Sequence, residues 1–134
     1  MNELEEGAEL RLDFRKLSKI AAAGCDVVPV AVQHADTGEV ILVAYANEEA
    51  LRAAIVRRTA IFWSTSRNTL WVKGETSGET FELIEVRVNC EQNSLLYRVR
   101  PRTGGVCHTL GPDGHARARC YYRRVVSESE LAFS

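Results

Sequence analysis

The sequence predicts an α+β fold that is predominantly antiparallel β with one helix. Short runs rich in β-branched and aromatic residues are separated by clusters of Gly, Ser and Thr, which is typical of strands joined by turns. One segment in the first half of the chain has helical periodicity and a capping residue before it. Strands and helices do not alternate, and neither Gly-rich nucleotide-binding fingerprint is present, so Rossmann and P-loop folds have no support.

The first third of the chain predicts a leader, a short amphipathic segment and a β-hairpin. Residues 1–9 contain four Glu and no Lys or Arg, so we expect a flexible acidic leader there. A single domain is expected over residues 10–134, because a chain of 134 residues fits one domain. After an amphipathic stretch at 10–20, β-branched runs at 27–33 and 39–44 flank a turn whose Asp and Gly favour a hairpin.

The remaining predicted elements are one helix and several short strands. Asn47 is the predicted N-cap of a helix over Ala50–Arg58, with Glu48 and Glu49 in its first turn. The apolar residues of this helix that share one face are Leu51, Ala54 and Ile55. Strands are expected at 60–64, 69–72, 81–89, 94–99 and 121–126, with a bulge at Ile84-Glu85.

Composition excludes several classes of protein. Seventeen basic and eighteen acidic residues give a net charge of −1, and 46% of the residues are hydrophobic, which argues against a basic nucleic-acid-binding arm or a disordered chain. No apolar run reaches about 18 residues, so no transmembrane helix is expected, and the N-terminus lacks the basic residues of a signal peptide. We therefore expect a cytoplasmic protein that has neither nucleic acid nor membrane as a partner.

The charges are nevertheless unevenly distributed. Residues 52–73 contain four Arg, one Lys and no acid, and residues 98–124 contain seven Arg and one Asp. If these two stretches converge, they form a site for an anion such as a phosphate. The alternative is that both are solvated strand edges, where basic side chains are common.

The four cysteines require an explanation, because a domain of this size can bury a core without disulfides and cytoplasmic disulfides are rare. Cys25 is interpreted as a small buried hydrophobe. Cys90, Cys107 and Cys120 lack the short spacings of a zinc finger, so spacing alone leaves them as buried hydrophobes or metal ligands. Cys107 is followed directly by His108, which puts a thiol next to an imidazole.

The densest polar stretch lies at residues 64–78. It combines hydroxyl groups, Arg67, Lys73 and two glycines, a set that can cradle a phosphate through side chains and backbone N–H groups. Trp63 and Trp71 either stack on a base or pack in the core.

Two further segments contain carboxylates that are candidates for proton transfer or for cation binding. Glu75 is either a general acid/base or a solvated turn residue. Residues 89–93 (NCEQN) follow an alternating strand, and their oxygens either face a hard cation or form a polar turn. Only Glu91 carries charge there, so a magnesium site is poor on electrostatic grounds.

Residues 62–78 (FWSTSRNTLWVKGETSG) closely resemble the signature of phosphoribosyl-AMP cyclohydrolases, ring-opening enzymes of histidine biosynthesis. Residues 28–33 (VPVAVQ), 107–109 (CHT) and 120–123 (CYYR) are similar to the same family. The resemblance covers roughly residues 10–124. The ungapped match through the first of these segments is far more specific than any cysteine spacing.

The resemblance implies a zinc-dependent hydrolase that opens the purine ring of phosphoribosyl-AMP at its N1–C6 bond. It implies an intertwined homodimer with zinc at the interface, held by Cys90, Cys107 and Cys120. The zinc would lower the pKa of a bound water to about 7 and deliver hydroxide to C6, with His108 carrying the proton. Lys73 and Glu75 are the further catalytic candidates. The residues expected to hold the phosphorylated substrate are Trp63, Ser64, Ser66, Arg67, Trp71, Thr76 and Ser77.

The chain departs from the family where the family binds magnesium. The family's Asp-Cys-Asp-x-Asp reads Asn89-Cys90-Glu91-Gln92-Asn93, so two carboxylates are amides and the third sits on a longer side chain. Each Asp→Asn change removes a charged ligand, so magnesium is disfavoured and Glu91, with Asn89 and Asn93, is only a weak candidate site. His34 replaces a family Asp, and the longer loop between the last two cysteines brings His115; the roles of both histidines stay open.

The residues leave three functions open. The first is phosphoribosyl-AMP cyclohydrolase itself, which is the function that the motif supports directly. The second is a diverged paralogue that uses the same zinc chemistry on another purine-like or heterocyclic substrate, as the lost magnesium carboxylates suggest. The third is a catalytically silent, nucleotide-binding paralogue, which the retained cysteines and His108 disfavour.

Overall fold

The computed structural model describes residues 2–103 and 105–133. Its helices and strands follow one another in an order close to the predicted one. In chain order they are α1 (Glu3–Glu6), α2 (Lys16–Ala22), β1 (Val28–His34), β2 (Val40–Ala46), α3 (Glu48–Arg57), β3 (Ile61–Ser64), β4 (Thr69–Val72), β5 (Phe81–Val88), β6 (Leu95–Pro101), β7 (Arg123–Val125) and β8 (Leu131–Phe133).

The centre of the fold is a four-stranded sheet with the order β2-β1-β6-β5. β1 pairs antiparallel with β2, and β5 pairs antiparallel with β6. β3 with β4, and β7 with β8, form two separate antiparallel hairpins. The predicted α+β class with mainly antiparallel strands is therefore confirmed.

The structure differs from the sequence prediction at two points of the β structure and agrees with it at a third. The β1–β6 pair is parallel. Parallel strands need a long connection, and here it runs through β2, α3, the β3–β4 hairpin and β5. β8 was not predicted, since three residues at the chain end carry too short a pattern. The predicted bulge in β5 is present as a register shift between Leu83 and Glu85.

The core joins the β3–β4 hairpin to the main sheet. The fully buried ring of Phe62 lies 5.4 Å from the ring of Trp71 and 5.5 Å from the ring of Tyr97, measured between centroids. The Tyr97 hydroxyl donates to the Ile61 carbonyl at 3.3 Å, and burial raises the pKa of Tyr97 to about 12. This aromatic cluster fixes the hairpin, and with it the loop that follows β4, against the sheet.

Helix α3 is capped at both ends as its sequence indicates. The Asn47 side chain accepts from the Ala50 amide at 2.9 Å, which confirms the predicted N-cap. Arg58 ends the helix in the left-handed region at φ 54°. Ala50 and Ala54 are buried, but Ile55, which was predicted to share a face with Leu51 and Ala54, is 53% exposed. Small alanines let the helix lie close to the sheet, which turns Ile55 to the surface.

The acidic leader contacts the C-terminal part of the chain. α1 is a single turn whose N-cap is Asn2, and after it the Ala8 carbonyl accepts from the Leu131 amide at 2.6 Å. Gly7, which follows α1, is buried. The flexibility of residues 1–9, and a domain boundary after them, stay predictions.

Across the described part of the chain, no helix combines the length and the apolar character that crossing a membrane requires.

Replacing Phe62 with Ala is expected to lower the free energy of unfolding by about 3–5 kcal/mol, because it removes a fully buried ring between two aromatic neighbours. Val56→Ala is the control, since Val56 is 81% exposed on α3 and its truncation should change stability by about 0.5 kcal/mol or less. Urea unfolding measures both. Equal stabilities of the two variants would mean that the ring does not anchor the hairpin.

Candidate active site

The loops after β4 and β6 meet at a cavity of about 500 Å³ beside β2. Nine of the residues predicted for the site line this cavity. They are Arg67, Trp71, Lys73, Glu75, Thr76, Ser77, Cys107, His108 and Cys120. Residues far apart in sequence, from three loops, are therefore brought together at one place.

Two of the predicted zinc thiols are adjacent in this cavity. The Val106 and Cys107 amides donate to the Arg117 carbonyl at 3.1 and 2.9 Å, which pairs the two ends of the long loop. The Cys120 amide donates to the Ile41 carbonyl of β2 at 3.0 Å. The Cys120 bond attaches this end of the loop to β2, an edge strand of the main sheet, and the Arg117 bonds hold Cys107 within the same loop.

The thiol pair favours a thiolate on Cys107. Its pKa is lowered to about 5, chiefly by the side-chain hydrogen bond from Cys120 and also by the Thr109 hydroxyl, which donates to Cys107 Sγ at 3.1 Å. The same contact and burial raise the pKa of Cys120. A lowered thiol pKa in a cavity is typical of cysteines that bind metals or react.

Lys73 is the buried cation of the site. Only 5% of it is exposed, and its Nζ lies 5.0 Å from the centroid of the Phe81 ring. Burial lowers the pKa of Lys73, while the thiols of Cys107 and Cys120 oppose this shift. Lys73 therefore supplies positive charge beside two sulfurs at the wall of the cavity.

The turn after Lys73 requires glycine. Gly74 has φ 77°, and a Cβ there would lie 2.1 Å from the backbone carbonyl of Glu79. The tight turn exposes Glu75, Thr76 and Ser77 along the rim of the cavity. These exposed hydroxyl groups have the chemistry to hold phosphate or ribose oxygens.

Two predicted serines support the site without lining it. Ser64 Oγ accepts from the Arg67 amide at 3.3 Å and from Arg67 Nε at 3.4 Å, and it lies 3.4 Å from Ser66 Oγ. Both serines belong to the turn of the β3–β4 hairpin. In this structure they hold the arginine that does line the cavity.

The two tryptophans are separated by the hairpin. Trp71 lines the active-site cavity and contacts Phe62. Trp63 lies beside a different cavity, next to Cys25, where its Nε1 donates to Asn68 Oδ1 at 3.3 Å. Trp71 pairs with Phe62 and Trp63 pairs with Leu70. Because successive side chains of a strand point to opposite faces, the two tryptophans lie on opposite faces of the hairpin.

His108 lies at the mouth of the cavity with 77% of its side chain exposed. Its Nε2 contacts a carboxylate oxygen of Glu5, from α1. No pattern in the sequence predicts this contact, because 103 positions separate the two residues.

Cys90 lies away from the other two thiols, in an exposed turn between β5 and β6. Asn89 Oδ1 accepts from the amides of Asn93 and Ser94 at 3.0 and 2.9 Å, and Asn89 Nδ2 donates to Asn93 Oδ1 at 2.7 Å. The amide oxygens predicted as weak magnesium ligands therefore bond to the turn itself. Within residues 2–103 and 105–133, no three His, Cys, Asp or Glu side chains are grouped to hold a metal ion.

Among the described residues of the two basic stretches, Arg67 and Lys73 are the arginine and lysine that line the cavity. Many of the other arginines hold the fold. Arg98 donates to the Gln33 side chain and the Ala35 carbonyl, and Arg100 binds Asp36 through two hydrogen bonds of 2.9 and 2.8 Å. Of the two alternatives that the sequence left open, convergence on an anion site has no support at Arg98 and Arg100, which bind within the fold.

The apolar wall of the cavity was not predicted from sequence. Leu42, Val43 and Ala44 of β2 and Val106 form part of it. Alternation within β2 identifies which residues share a face, but only the packed structure shows that this strand borders the site.

Comparisons with known proteins agree with these observations. The model of the family described as phosphoribosyl-AMP cyclohydrolase matches residues 42–122, more than half of the chain. The chain is 46% identical over 121 residues to the phosphoribosyl-AMP cyclohydrolase of Hyphomonas neptunium, covering 90% of this chain and 81% of that protein. The corresponding protein of Sphingopyxis alaskensis is 44% identical over 119 residues, covering 89% of this chain and 87% of that protein.

A longer relative is the histidine biosynthesis bifunctional protein HisIE of Thermus thermophilus. It is 44% identical over 108 residues, which cover 80% of this chain and 47% of that protein. Two relatives of similar length and one longer one thus match this sequence over most of its length. The chain belongs to the phosphoribosyl-AMP cyclohydrolase family.

Proposed function

We propose that the chain is a phosphoribosyl-AMP cyclohydrolase, as its relatives are named, and that it hydrolyses the N1–C6 bond of the purine ring. Water adds at C6, the C6–N1 bond breaks, C6 becomes a carboxamide, and N1 takes a proton as part of an open amidine. The observation that carries this proposal is the single cavity shared by the Cys107–Cys120 pair, His108 and the loop 73–77. We also propose that this activity is located in the cytoplasm.

Zinc is the metal that the family motif implies, and the donors present fit it in part. Cys107 and Cys120 offer two soft sulfur ligands, and the lowered pKa of Cys107 favours the thiolate that zinc requires. Bound there, zinc supplies Lewis-acid activation of water. A catalytic zinc normally has three protein ligands, so two thiols from one chain leave the site one ligand short.

We propose that the third ligand is Cys90 from a second copy of the chain, in an intertwined homodimer. Cys90 is exposed and therefore available to another molecule. Each zinc site would then take Cys107 and Cys120 from one copy of the chain and Cys90 from the other copy. A C2 dimer with this exchange contains two equivalent sites.

The chain's own residues have distinct roles in the proposed reaction. His108 accepts a proton from the attacking water and delivers one to N1 as the ring opens. Arg67 and Lys73 hold the substrate's phosphate oxygens by charge, with Thr76 and Ser77 bonding phosphate or ribose from the rim. Trp71 provides the flat surface against which a purine stacks. Glu75, exposed beside them, is a second candidate for proton transfer.

Magnesium does not fit the segment that holds it in the family. The amide oxygens of Asn89 and Asn93 are already used within the turn, and Glu91 is the single carboxylate there. Adding Mg²⁺ to zinc-loaded protein should therefore change kcat/KM by about twofold or less, an effect of under 1 kcal/mol. Initial rates across a Mg²⁺ titration measure this. A strict requirement for Mg²⁺ would contradict it.

The function is tested by incubating zinc-loaded protein with phosphoribosyl-AMP and following the absorbance change as the purine ring opens. AMP is the matched control, because it lacks the second ribosyl phosphate on N1 and keeps a neutral ring. Rapid opening of phosphoribosyl-AMP alone is the expected result. No ring opening by protein with full zinc content would contradict the proposal.

A further inference from the structure

We infer that Glu5 is a positioning residue of the active site, holding the His108 ring through its Nε2. This inference rests on the proposed function, because the orientation of the His108 ring affects the reaction only if His108 transfers a proton. The acidic leader, for which the sequence indicated no role, would thereby be part of the site.

The leader is anchored by main-chain carbonyls as well as by charge. The Tyr122 hydroxyl donates to the Glu5 carbonyl at 2.7 Å. The Arg123 guanidinium donates to the Leu4 carbonyl at 2.8 Å and to the Gly7 carbonyl at 2.9 Å. These bonds satisfy carbonyls at the end of α1 that a one-turn helix cannot satisfy internally. They fix the backbone on both sides of Glu5.

Arg117 is the principal anchor of the leader. It donates to both carboxylate oxygens of Glu6 at 2.8 and 2.9 Å, and only 12% of its side chain is exposed. Its Cζ lies 4.0 Å from the centroid of the Tyr122 ring. Arg117 also accepts the Cys107 amide through its carbonyl, so the leader and the thiol loop share one rigid residue. A bidentate, partly buried pair is geometrically specific.

This anchoring delivers the Glu5 carboxylate to His108. Glu5 is 32% exposed in its side chain, whereas His108 is 77% exposed. A solvent-exposed imidazole samples several rotamers, and a carboxylate on one nitrogen selects one orientation. The contact with Glu5 occupies Nε2, and Nδ1 has no hydrogen bond within residues 2–103 and 105–133, so Glu5 is the side chain that orients the ring.

Glu5→Ala should lower kcat about tenfold with KM nearly unchanged, since partners that orient a histidine are worth about 10–100-fold. Glu5→Gln should recover most of this loss, to within about threefold of the unmodified chain, because its amide oxygen still accepts from Nε2–H. Glu3→Ala is the matched control: Glu3 lies on the same helical turn and is exposed. It should leave kcat unchanged.

A double variant separates positioning from a general effect on the fold. In a His108→Ala background, Glu5→Ala should cause no further loss. A further tenfold loss in that background, a kcat for Glu5→Ala equal to that of Glu3→Ala, or a faster enzyme without Glu5 would each overturn the inference. The last result would mean that Glu5 blocks His108 instead of orienting it.

Nuclear magnetic resonance of the histidine rings gives a readout that does not depend on activity. The chain has three histidines, so His34 and His115 serve as internal references. Glu5→Ala should shift the ¹⁵N signals of the His108 ring and leave the other two rings unchanged. If Glu5→Ala shifts the His108 signals but the unmodified chain has no ring-opening activity, the proposed function is disproved and the contact between Glu5 and His108 is not. If the His108 signals do not shift in Glu5→Ala, the contact between Glu5 and His108 is disproved and the proposed function is not.

Discussion

Replacing Cys107 with Ser is expected to abolish zinc binding and to lower kcat/KM by about 1,000-fold or more, which is about 4 kcal/mol of activation free energy. Cys107 is buried, its pKa is lowered to about 5, and it accepts from both Cys120 and Thr109. A hydroxyl in its place is not ionised near neutral pH and is a poor ligand for zinc. Zinc content by atomic absorption and the initial rate of ring opening measure the two losses.

Cys25→Ser is the matched control for that substitution. Cys25 lies beside Asn68, on the other side of the hairpin, with its Sγ 3.5 Å from Asn68 Oδ1. Its replacement should leave zinc content unchanged and activity within about twofold. Full activity in a Cys107→Ser variant that binds no zinc would exclude the proposed metal chemistry.

Replacing Cys90 with Ser is expected to cause losses as large as those at Cys107, although Cys90 is exposed and remote from the cavity of its own chain. A remote exposed thiol would have no effect on a site built from one chain. If a second copy completes the site, removing Cys90 leaves only two thiols for the metal. The measurements are again zinc content and ring-opening rate.

Glu91→Gln tests the same turn without touching the thiol. Glu91 is exposed and directly follows Cys90. Because we propose no metal role for it in this chain, its replacement should leave both zinc content and rate unchanged. Retained activity in Cys90→Ser, or lost activity in Glu91→Gln, would contradict the assignment of ligands in this turn.

The local elements of the fold could be predicted because short-range physics determines them. Asn47 signals the start of α3 through its side-chain acceptor, and the β5 pattern signals its bulge at Ile84-Glu85. The parallel pairing of β1 with β6 could not be predicted, since it depends on how segments more than sixty residues apart meet. Ile55 is exposed because alanines, and not larger residues, face the sheet.

The candidate site was predictable to the extent that a long motif specifies it. The loop from Lys73 to Ser77 and the Cys107-His108 pair, which the motif singles out, lie at one cavity; their roles stay predictions. The side chains of Trp63 and Ser64 lie elsewhere or support Arg67, because strand alternation and turn geometry decide their direction. Contacts between chain ends, such as those of the leader, leave no local signal in sequence.

The most direct test of a shared zinc site uses mixed dimers of Cys90→Ser and Cys107→Ser copies, carrying different affinity tags and purified through both. Each parent lacks a ligand in both of its sites. In the mixed dimer one site lacks two ligands and the other combines an intact Cys90 with an intact Cys107 and Cys120. We expect the mixed dimer to recover about half of the zinc and half of the activity of the unmodified dimer. Mixed dimers as inactive and zinc-free as their parents would contradict a site shared between two copies.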